Sequence, residues 1–195
     1  TEGQATAGNI TIDARDLDTD SKIVSDTLSS GNAGDISVTA NDVVLWGEAE
    51  IASDVEIPED TGASAADAGT GSGGSVTFDV QRLTLRDDAE ISSDTEAGTS
   101  GSGGSIFINA ADALVLDNVP DPSDPGDEAG IFANTEGSGA AGSIDITSPT
   151  ITITGGVITS RTESTGSAND IILRTSSLSL DNGSVSAESR LPDAD

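Results

Sequence analysis

The stretch Gly34–Asp54 reads G-D-I-S-V-T-A-N-D-V-V-L-W-G-E-A-E-I-A-S-D, and its spacing predicts the fold. Ile36 and Val38 alternate with polar residues, a second alternating pair begins at Val43, and Ile51 is a third apolar position. A spacing of two is the period of a β-strand, and no apolar stripe at helical spacing interrupts it. The stretch therefore predicts three short strands separated by bends.

This unit recurs about six times along the 195 residues. The first apolar pairs are Ile10/Ile12, Ile36/Val38, Val76/Phe78, Ile106/Ile108, Ile144/Ile146 and Ile171/Leu173. The second positions are Leu17, Val43/Leu45, Leu83/Leu85, Leu114/Leu116, Ile151/Ile153 and Leu178/Leu180. The third are Ile23, Ile51, Ile91, Ile131, Ile158 and Val185.

Repeats of this length must stack, because one unit cannot bury its apolar face alone. Three strands per unit, stacked in parallel with right-handed crossovers, predict an all-β, right-handed parallel β-helix of about six coils. A β-propeller is disfavoured because tight hairpin signals are missing.

The domain organisation follows from the stacking. Residues 1–195 are expected to form a single β-helical repeat domain, and repeat-like sequence at both ends suggests an excerpt of a longer chain. The extra length between units falls in 55–73 and 118–129, which we expect to project as loops. A solenoid tolerates such insertions because the cost of closing a loop rises slowly with its length.

The charge is extreme, with 35 acidic and 7 basic residues and a net charge of −28. Sequence-independent binding to nucleic acid needs a basic surface, so nucleic acid is excluded as a partner. Insertion into a membrane is not expected either. Screening by salt or divalent cations would relieve the self-repulsion of so acidic a chain.

Catalysis finds little support in the residue types. The chain has no His and no Tyr, its one Lys is Lys22, and its one Trp is Trp46. Asp87 and Asp88 are a pair of carboxylates of the kind that glycosidases use. However, the aromatic and basic side chains that would bind and orient a sugar are scarce. We expect no enzyme. Trp46 follows the second strand and should point outward, either as a contact residue or packed under a neighbouring loop.

One column of acidic residues is a candidate cation site. After the third strand the units carry, in order, Asp26, Asp54, Asp94, Asn134, Arg161 and Glu188. If the units are in register, neighbours stack about 4.8 Å apart, and Asp26, Asp54 and Asp94 would form a ladder of hard oxygen ligands for calcium. The alternative, which we favour, is a turn residue that accepts a backbone hydrogen bond.

A second candidate is the carboxylate-rich segment 117–128. Its calcium-ligand candidates are Asp117, Asp121, Asp124 and Asp127. The spacing does not match a calcium-binding loop of known pattern, and three prolines stiffen the segment, which favours a solvated projecting loop. Glu56, Glu59 and Asp60 present a weaker version of the same choice. No cofactor is required, and calcium is the one candidate.

The recurring elements G-x-I-x-I, L-x-L and I-S-S-x-T resemble the filamentous-haemagglutinin-like exoproteins of bacteria. The chain is most similar to the repeat-rich surface proteins of cyanobacteria and related Gram-negative organisms, over Gly8 to about Ser189. The resemblance implies a secreted or outer-membrane-attached protein with a right-handed β-helical shaft. It also implies an extracellular or cell-surface location, although nothing matches the family's N-terminal secretion domain.

Three functions follow as expectations. The first is a non-catalytic structural or adhesive shaft segment. The second is a subunit that joins other copies through open strand edges into an extracellular filament. The third is a calcium-stabilised carbohydrate-binding or carbohydrate-active β-helix. The expected partners are other copies of the chain, neighbouring repeats of its parent chain, and glycans of a host or surface.

Overall fold

The computed structural model describes residues 5–28, 30–56, 69–118 and 129–190. All regular structure in these ranges is β-strand. The same ranges contain no helix long and apolar enough to cross a membrane. The predicted all-β class is confirmed.

Fifteen strands are present in the described ranges. They are β1 (Ile10–Asp13), β2 (Asp16–Thr19), β3 (Ile23–Val24), β4 (Ile36–Leu45), β5 (Glu50–Ala52), β6 (Val76–Arg86), β7 (Glu90–Ser92), β8 (Ile106–Asp117), β9 (Gly130–Phe132), β10 (Ile144–Thr147), β11 (Thr150–Thr154), β12 (Val157–Thr162), β13 (Ile171–Arg174), β14 (Ser177–Asp181) and β15 (Ser184–Ser189).

The strands form two sheets, and every pairing between named strands is parallel. One sheet has the order β1-β4-β6-β8-β10-β13, with β2 beside β4 and with β11 between β8 and β14. The other has the order β3-β5-β7-β9-β12-β15. Corresponding apolar positions of successive units pair directly, as in Ile51 with Ile91 and Ile91 with Ile131. The predicted register between units is therefore confirmed.

Separate first and second strands were expected in every unit, but three units differ. In β4, β6 and β8 one continuous strand covers both positions, although the pairing of β6 with β8 shifts register between Val80 and Arg82. These strands have one more buried residue between the two pairs: Ala40, Val80 and Ala110 are buried and pair with one another. In the next unit Ser148 is buried at the equivalent position, but it is followed by Pro149, which has no amide hydrogen to donate, and β10 and β11 are separate strands.

The core lies between the two sheets as one hydrophobic cluster. Beside it runs a buried polar column in which serine hydroxyls face a glycine of the adjoining corner. Ser53 Oγ donates to the Gly34 carbonyl at 2.6 Å and accepts from the Gly74 amide at 3.0 Å. A Cβ at Gly74 would overlap the Gly34 carbonyl and Ser53 Oγ, which explains the glycine of the G-x-I motif.

The predicted loops are described only in part. Val55 still forms parallel bridges with Thr27 and Thr95, and the Gly73 amide donates to the Ser102 carbonyl at 3.0 Å. Residues 57–68 and 119–128 lie outside the described ranges.

Candidate functional site

The predicted acidic column, hereafter the corner column (Asp26, Asp54, Asp94, Asn134, Arg161, Glu188), is in register and linked by hydrogen bonds. The Asp54 amide donates to Asp26 Oδ1 at 3.0 Å, and the Asp94 amide donates to Asp54 Oδ1 at 2.7 Å. The Asn134 amide donates to Asp94 Oδ1 at 2.5 Å, and the Arg161 amide to Asn134 Oδ1 at 2.9 Å. The side chains of the first four members therefore each accept a backbone hydrogen bond from the next unit, as the turn-residue interpretation predicts.

Burial sets the electrostatics of this column. Burial raises the pKa of Asp94 to about 6, although hydrogen bonds from Asn134 oppose the shift. Burial, and then the neighbouring charge of Asp94, raise the pKa of Asp54 well above its usual range. Burial also raises the pKa of Asp26. The charged forms of these carboxyls are disfavoured because water is excluded and like charges stack.

A glutamate column runs just before the third strand position. Glu50 pairs with Glu90, and Glu90 pairs with Gly130. Burial raises the pKa of Glu90 to about 7, with further contributions from the charges of Asp94 and Glu50. The ring of Phe132 lies so close to Gly130 that a Cβ there would overlap it. An aromatic ring thus occupies the column position beside Glu90.

Sequence reasoning missed Glu90 because alternation places it on the outer, polar face of its strand. The shared pattern E-I-[AS]-S-D at Glu50 and Glu90 was the available signal, since it repeats a carboxylate four residues before the corner column. Its burial could not be read from the pattern.

A third set of carboxylates follows the corner column at a spacing of two residues. These are Glu56, Glu96, Glu136 and Glu163. Asp94, Glu96, Glu136 and Glu163 line a surface cavity of about 220 Å³ together with Arg161. Burial, and then the charge of Asp26, raise the pKa of Glu56.

Arg161 brings a positive charge to this cavity. Its Nη2 lies 3.1 Å from Glu163 Oε1, while its buried Nε has no hydrogen-bond partner among the described residues. The guanidinium partly offsets the carboxylates where they are most crowded.

The candidate metal ligands do not all come together. Asp26, Asp54 and Asp94 lie in one column, whereas Asp117 ends β8 in the other sheet and pairs with Arg86. Asp121, Asp124 and Asp127 lie outside the described ranges, as do Glu59 and Asp60. Within those ranges, no group of three or more His, Cys, Asp or Glu side chains is arranged to hold a metal ion.

The Asp87–Asp88 pair belongs to a turn. Asp87 has φ = 58°, and the corresponding corner of the preceding unit has Gly47 at φ = 60°. Gly155 and Asn182 adopt the same left-handed backbone at later corners, with φ of 69° and 53°. Gly, Asn and Asp are the residues that tolerate this conformation, so the turn geometry accounts for Asp87.

Two exposed aromatic side chains stand on the outer surface. Trp46 points outward as predicted, is 43 % exposed, and donates from Nε1 to Asp18 Oδ1 at 2.8 Å. Phe107, which sequence reasoning did not single out, is also 43 % exposed. It lines an open groove of about 420 Å³ with Asp79 and Asn109.

The chain matches no protein-family model, no curated protein and no solved structure. The resemblance to filamentous-haemagglutinin-like exoproteins therefore stays a prediction.

Proposed function

We propose that this chain is a non-catalytic structural shaft segment of a secreted or cell-surface protein, built as a right-handed parallel β-helix of about six coils. The observation that carries the proposal is the continuous register of the three apolar positions through successive units. Ile36, Val43 and Ile51 each pair with the equivalent residue of the next unit, and all three belong to one core.

The connections support the helical path. The chain passes from β4 in one sheet to β5 in the other and then to β6, which pairs with β4. Crossovers between parallel strands are right-handed in nearly all proteins, which gives the proposed hand. A stack of this type grows along one axis without a change in its cross-section, as a shaft requires.

The surface chemistry is consistent with a scaffold. The chain carries no His and no Cys, which removes the usual nucleophile and base pairs. A net charge of −28 keeps such a rod soluble outside the cell and discourages lateral association.

The experiment that tests the shaft is duplication of one unit, residues 74–103, directly after residue 103. We expect the longer chain to fold, to melt cooperatively, and to gain about 4.8 Å in length by small-angle scattering. A matched control carries the same 30 residues in scrambled order and should lose the cooperative transition. Loss of folding in both variants would overturn the stacked architecture.

The surface location has its own test. An antibody raised against the chain should label intact cells of the source organism. Labelling that appears only after the cells are permeabilised would overturn the proposed location.

A further inference from the structure

One phenylalanine ring lies on the outer surface of the sheet that contains β8. Of the three phenylalanines of the chain, Phe78 is buried and Phe132 is half-buried, whereas Phe107 is 43 % exposed. Phe107 pairs with Thr77 of β6 on one side and with Asp145 of β10 on the other. All three strands have a paired neighbour on each side, so the exposure of this ring does not depend on either end of the stack.

Polar side chains with unused hydrogen-bonding groups lie beside the ring. Asn109 Nδ2 donates to Asp79 Oδ1 at 3.0 Å, which fixes both side chains next to Phe107. Within the described part of the chain, Asp79 Oδ2 and Asn109 Oδ1 make no further hydrogen bond, so both can accept one from a ligand. On the other side of the ring, Asp145 is ion-paired with Arg174, and each therefore holds the other in place.

These side chains line one open groove of about 420 Å³, hereafter the Phe107 groove (Thr77, Asp79, Phe107, Asn109, Asp145, Arg174). The groove crosses β6, β8, β10 and β13, which is a length of about 14 Å at the usual spacing of neighbouring strands. Its volume lies in the range of sites that bind small molecules, and a few fixed polar groups beside an aromatic ring are typical of such sites.

We propose that the Phe107 groove binds a neutral pyranose sugar of a glycan, with one face of the sugar ring stacked on Phe107. A pyranose presents apolar C–H groups on its faces and hydroxyls around its rim. The C–H face would cover the aromatic ring, and the rim hydroxyls would donate to Asp79 Oδ2 and Asn109 Oδ1. This binding site goes beyond the shaft function and does not depend on it, since it needs only the paired strands.

The charge of the groove selects against charged ligands. Asp79 has no cationic partner among the described residues, whereas the charge of Asp145 is matched by Arg174. The chain as a whole carries a net charge of −28. Uronic acids and sulfated sugars would therefore be repelled, and so would the phosphates of a nucleotide whose base stacked on the ring. A neutral sugar is not repelled.

A protein partner fits the groove less well than a sugar does. The immediate neighbours of Phe107 in its column are Thr77 and Asp145, and the next outward column holds Asp79 and Asn109. The ring is thus a single apolar side chain among polar ones. Protein interfaces are centred on contiguous apolar patches and clustered anchors that exclude water.

The first test is a glycan array that carries neutral, amine-bearing and acidic glycans. The chain is biotinylated and multimerised on streptavidin, because multivalent display strengthens a weak interaction. We expect binding to be confined to neutral glycans. The terminal disaccharide of the best-bound glycan is then titrated by saturation-transfer NMR, and its affinity should fall about tenfold in Phe107→Ala.

The matched control is Trp46→Ala. Trp46 is also 43 % exposed but lies outside the groove, so its removal should leave binding unchanged. Phe107→Tyr keeps a flat ring and should retain binding, whereas Phe107→Leu keeps an apolar side chain without a ring face and should lose most of it. All four variants change exposed positions and should melt close to the parent chain, which separates a loss of binding from a loss of folding.

Several outcomes would overturn the proposal. These are no binding to any glycan of the array, binding confined to amine-bearing or acidic glycans, and binding that survives in Phe107→Ala or falls equally in Trp46→Ala. Full binding by Phe107→Leu would indicate an apolar contact of the kind that a protein partner makes, and it would overturn the stacking. None of these results bears on the shaft, which the duplication of residues 74–103 tests separately.

Discussion

Two neighbouring columns of the same corner differ in the side chains that they stack, and therefore in what the stacking does to stability. Ile51, Ile91 and Ile131 are fully buried and pair directly from unit to unit. Three residues later, Asp54 and Asp94 are partly buried, and this burial raises the pKa of their carboxyls. The same stacking thus stabilises the isoleucine column and forces acidic groups together in the corner column.

Asn134 shows that the corner needs a hydrogen-bond acceptor at this position rather than a negative charge. Its Oδ1 accepts from the Arg161 amide at 2.9 Å, the bond that Asp54 makes to the Asp94 amide at 2.7 Å. An amide oxygen satisfies the corner as well as a carboxylate does. The hydrogen bond therefore stabilises the stack, while the charge opposes it and makes this corner sensitive to pH.

The largest effect is expected in the isoleucine column. Ile91→Ala removes a fully buried side chain and should lower the free energy of unfolding by about 2–5 kcal/mol in urea titrations. Because no titratable group is removed, the loss should be similar at pH 5 and pH 8. Ile172→Ala, at a 39 % exposed position, is the control and should change stability by less than about 0.5 kcal/mol. A loss at Ile91 as small as at Ile172 would contradict the shared core.

The second effect is the response of the native chain to pH. A carboxyl with a raised pKa in the folded state binds its proton more readily there than in the unfolded chain, so stability rises as pH falls. With Asp94 at about 6 and Glu90 at about 7, the gain should accumulate between about pH 7 and pH 4. At about 1.4 kcal/mol per pKa unit, discounted for partial exposure, we expect about 1–3 kcal/mol.

General charge repulsion would give a similar trend, so the measurement needs a control. Urea titrations in 0.5 M NaCl screen the exposed charges and leave the buried ones largely unscreened. Glu90→Gln should then flatten the profile between pH 7 and pH 5. An unchanged profile in Glu90→Gln would show that Glu90 does not contribute and would leave the pH response to Asp54, Asp94 and the surface carboxyls.

The fold could be predicted from the sequence because its period is short and strictly local. The apolar pairs mark inward positions in every unit, and the observed pairing of Ile36 with Val76 and of Val76 with Ile106 follows them. The continuous strands β4, β6 and β8 could not be predicted in this way. Ala40 and Ala110 continue the spacing of two after Val38 and Ile108, but alanine is too weak an apolar signal to extend the predicted strand.

The site was predictable to a lesser degree. The stacking of Asp26, Asp54 and Asp94 followed from the repeat spacing. The burial of Glu90 did not, because outward alternation predicts a solvated side chain and only the packed neighbours of that position decide otherwise. Phe107 was not predicted for a related reason: it lies at an outward position, and a single aromatic residue there leaves the alternation of inward apolar residues unchanged.

A smaller effect is expected from changing charge without changing shape in the corner column. Asp54→Asn keeps the acceptor for the Asp94 amide, and the new amide can donate to Ser92 Oγ, now 2.9 Å from Asp54 Oδ2. Because the pKa of Asp54 is raised in the folded chain, the variant should be more stable than the parent at pH 8, and it should lose this advantage as the pH falls to about 4. Asn134→Asp is the mirror variant and should destabilise at pH 8. Destabilisation by Asp54→Asn at pH 8 would show that the carboxylate charge itself is needed.

The smallest effect is expected from calcium, and it decides between the two interpretations of the corner column. Both Asp54 oxygens already accept hydrogen bonds, from the Asp94 amide and from Ser92 Oγ, and Ca²⁺ needs six to eight oxygen ligands. Melting curves in millimolar CaCl₂ and in NaCl of equal ionic strength should therefore agree after chelator treatment.

A calcium-specific rise in melting temperature that disappears in Asp54→Asn would instead place a metal in the column, because a ligand bound only to the folded state stabilises it. A calcium-specific rise that survives in Asp54→Asn would direct attention to Asp117 and the carboxylates that follow it. Only an equal response to both salts leaves the column as a ladder of backbone hydrogen bonds whose charge is offset by screening alone.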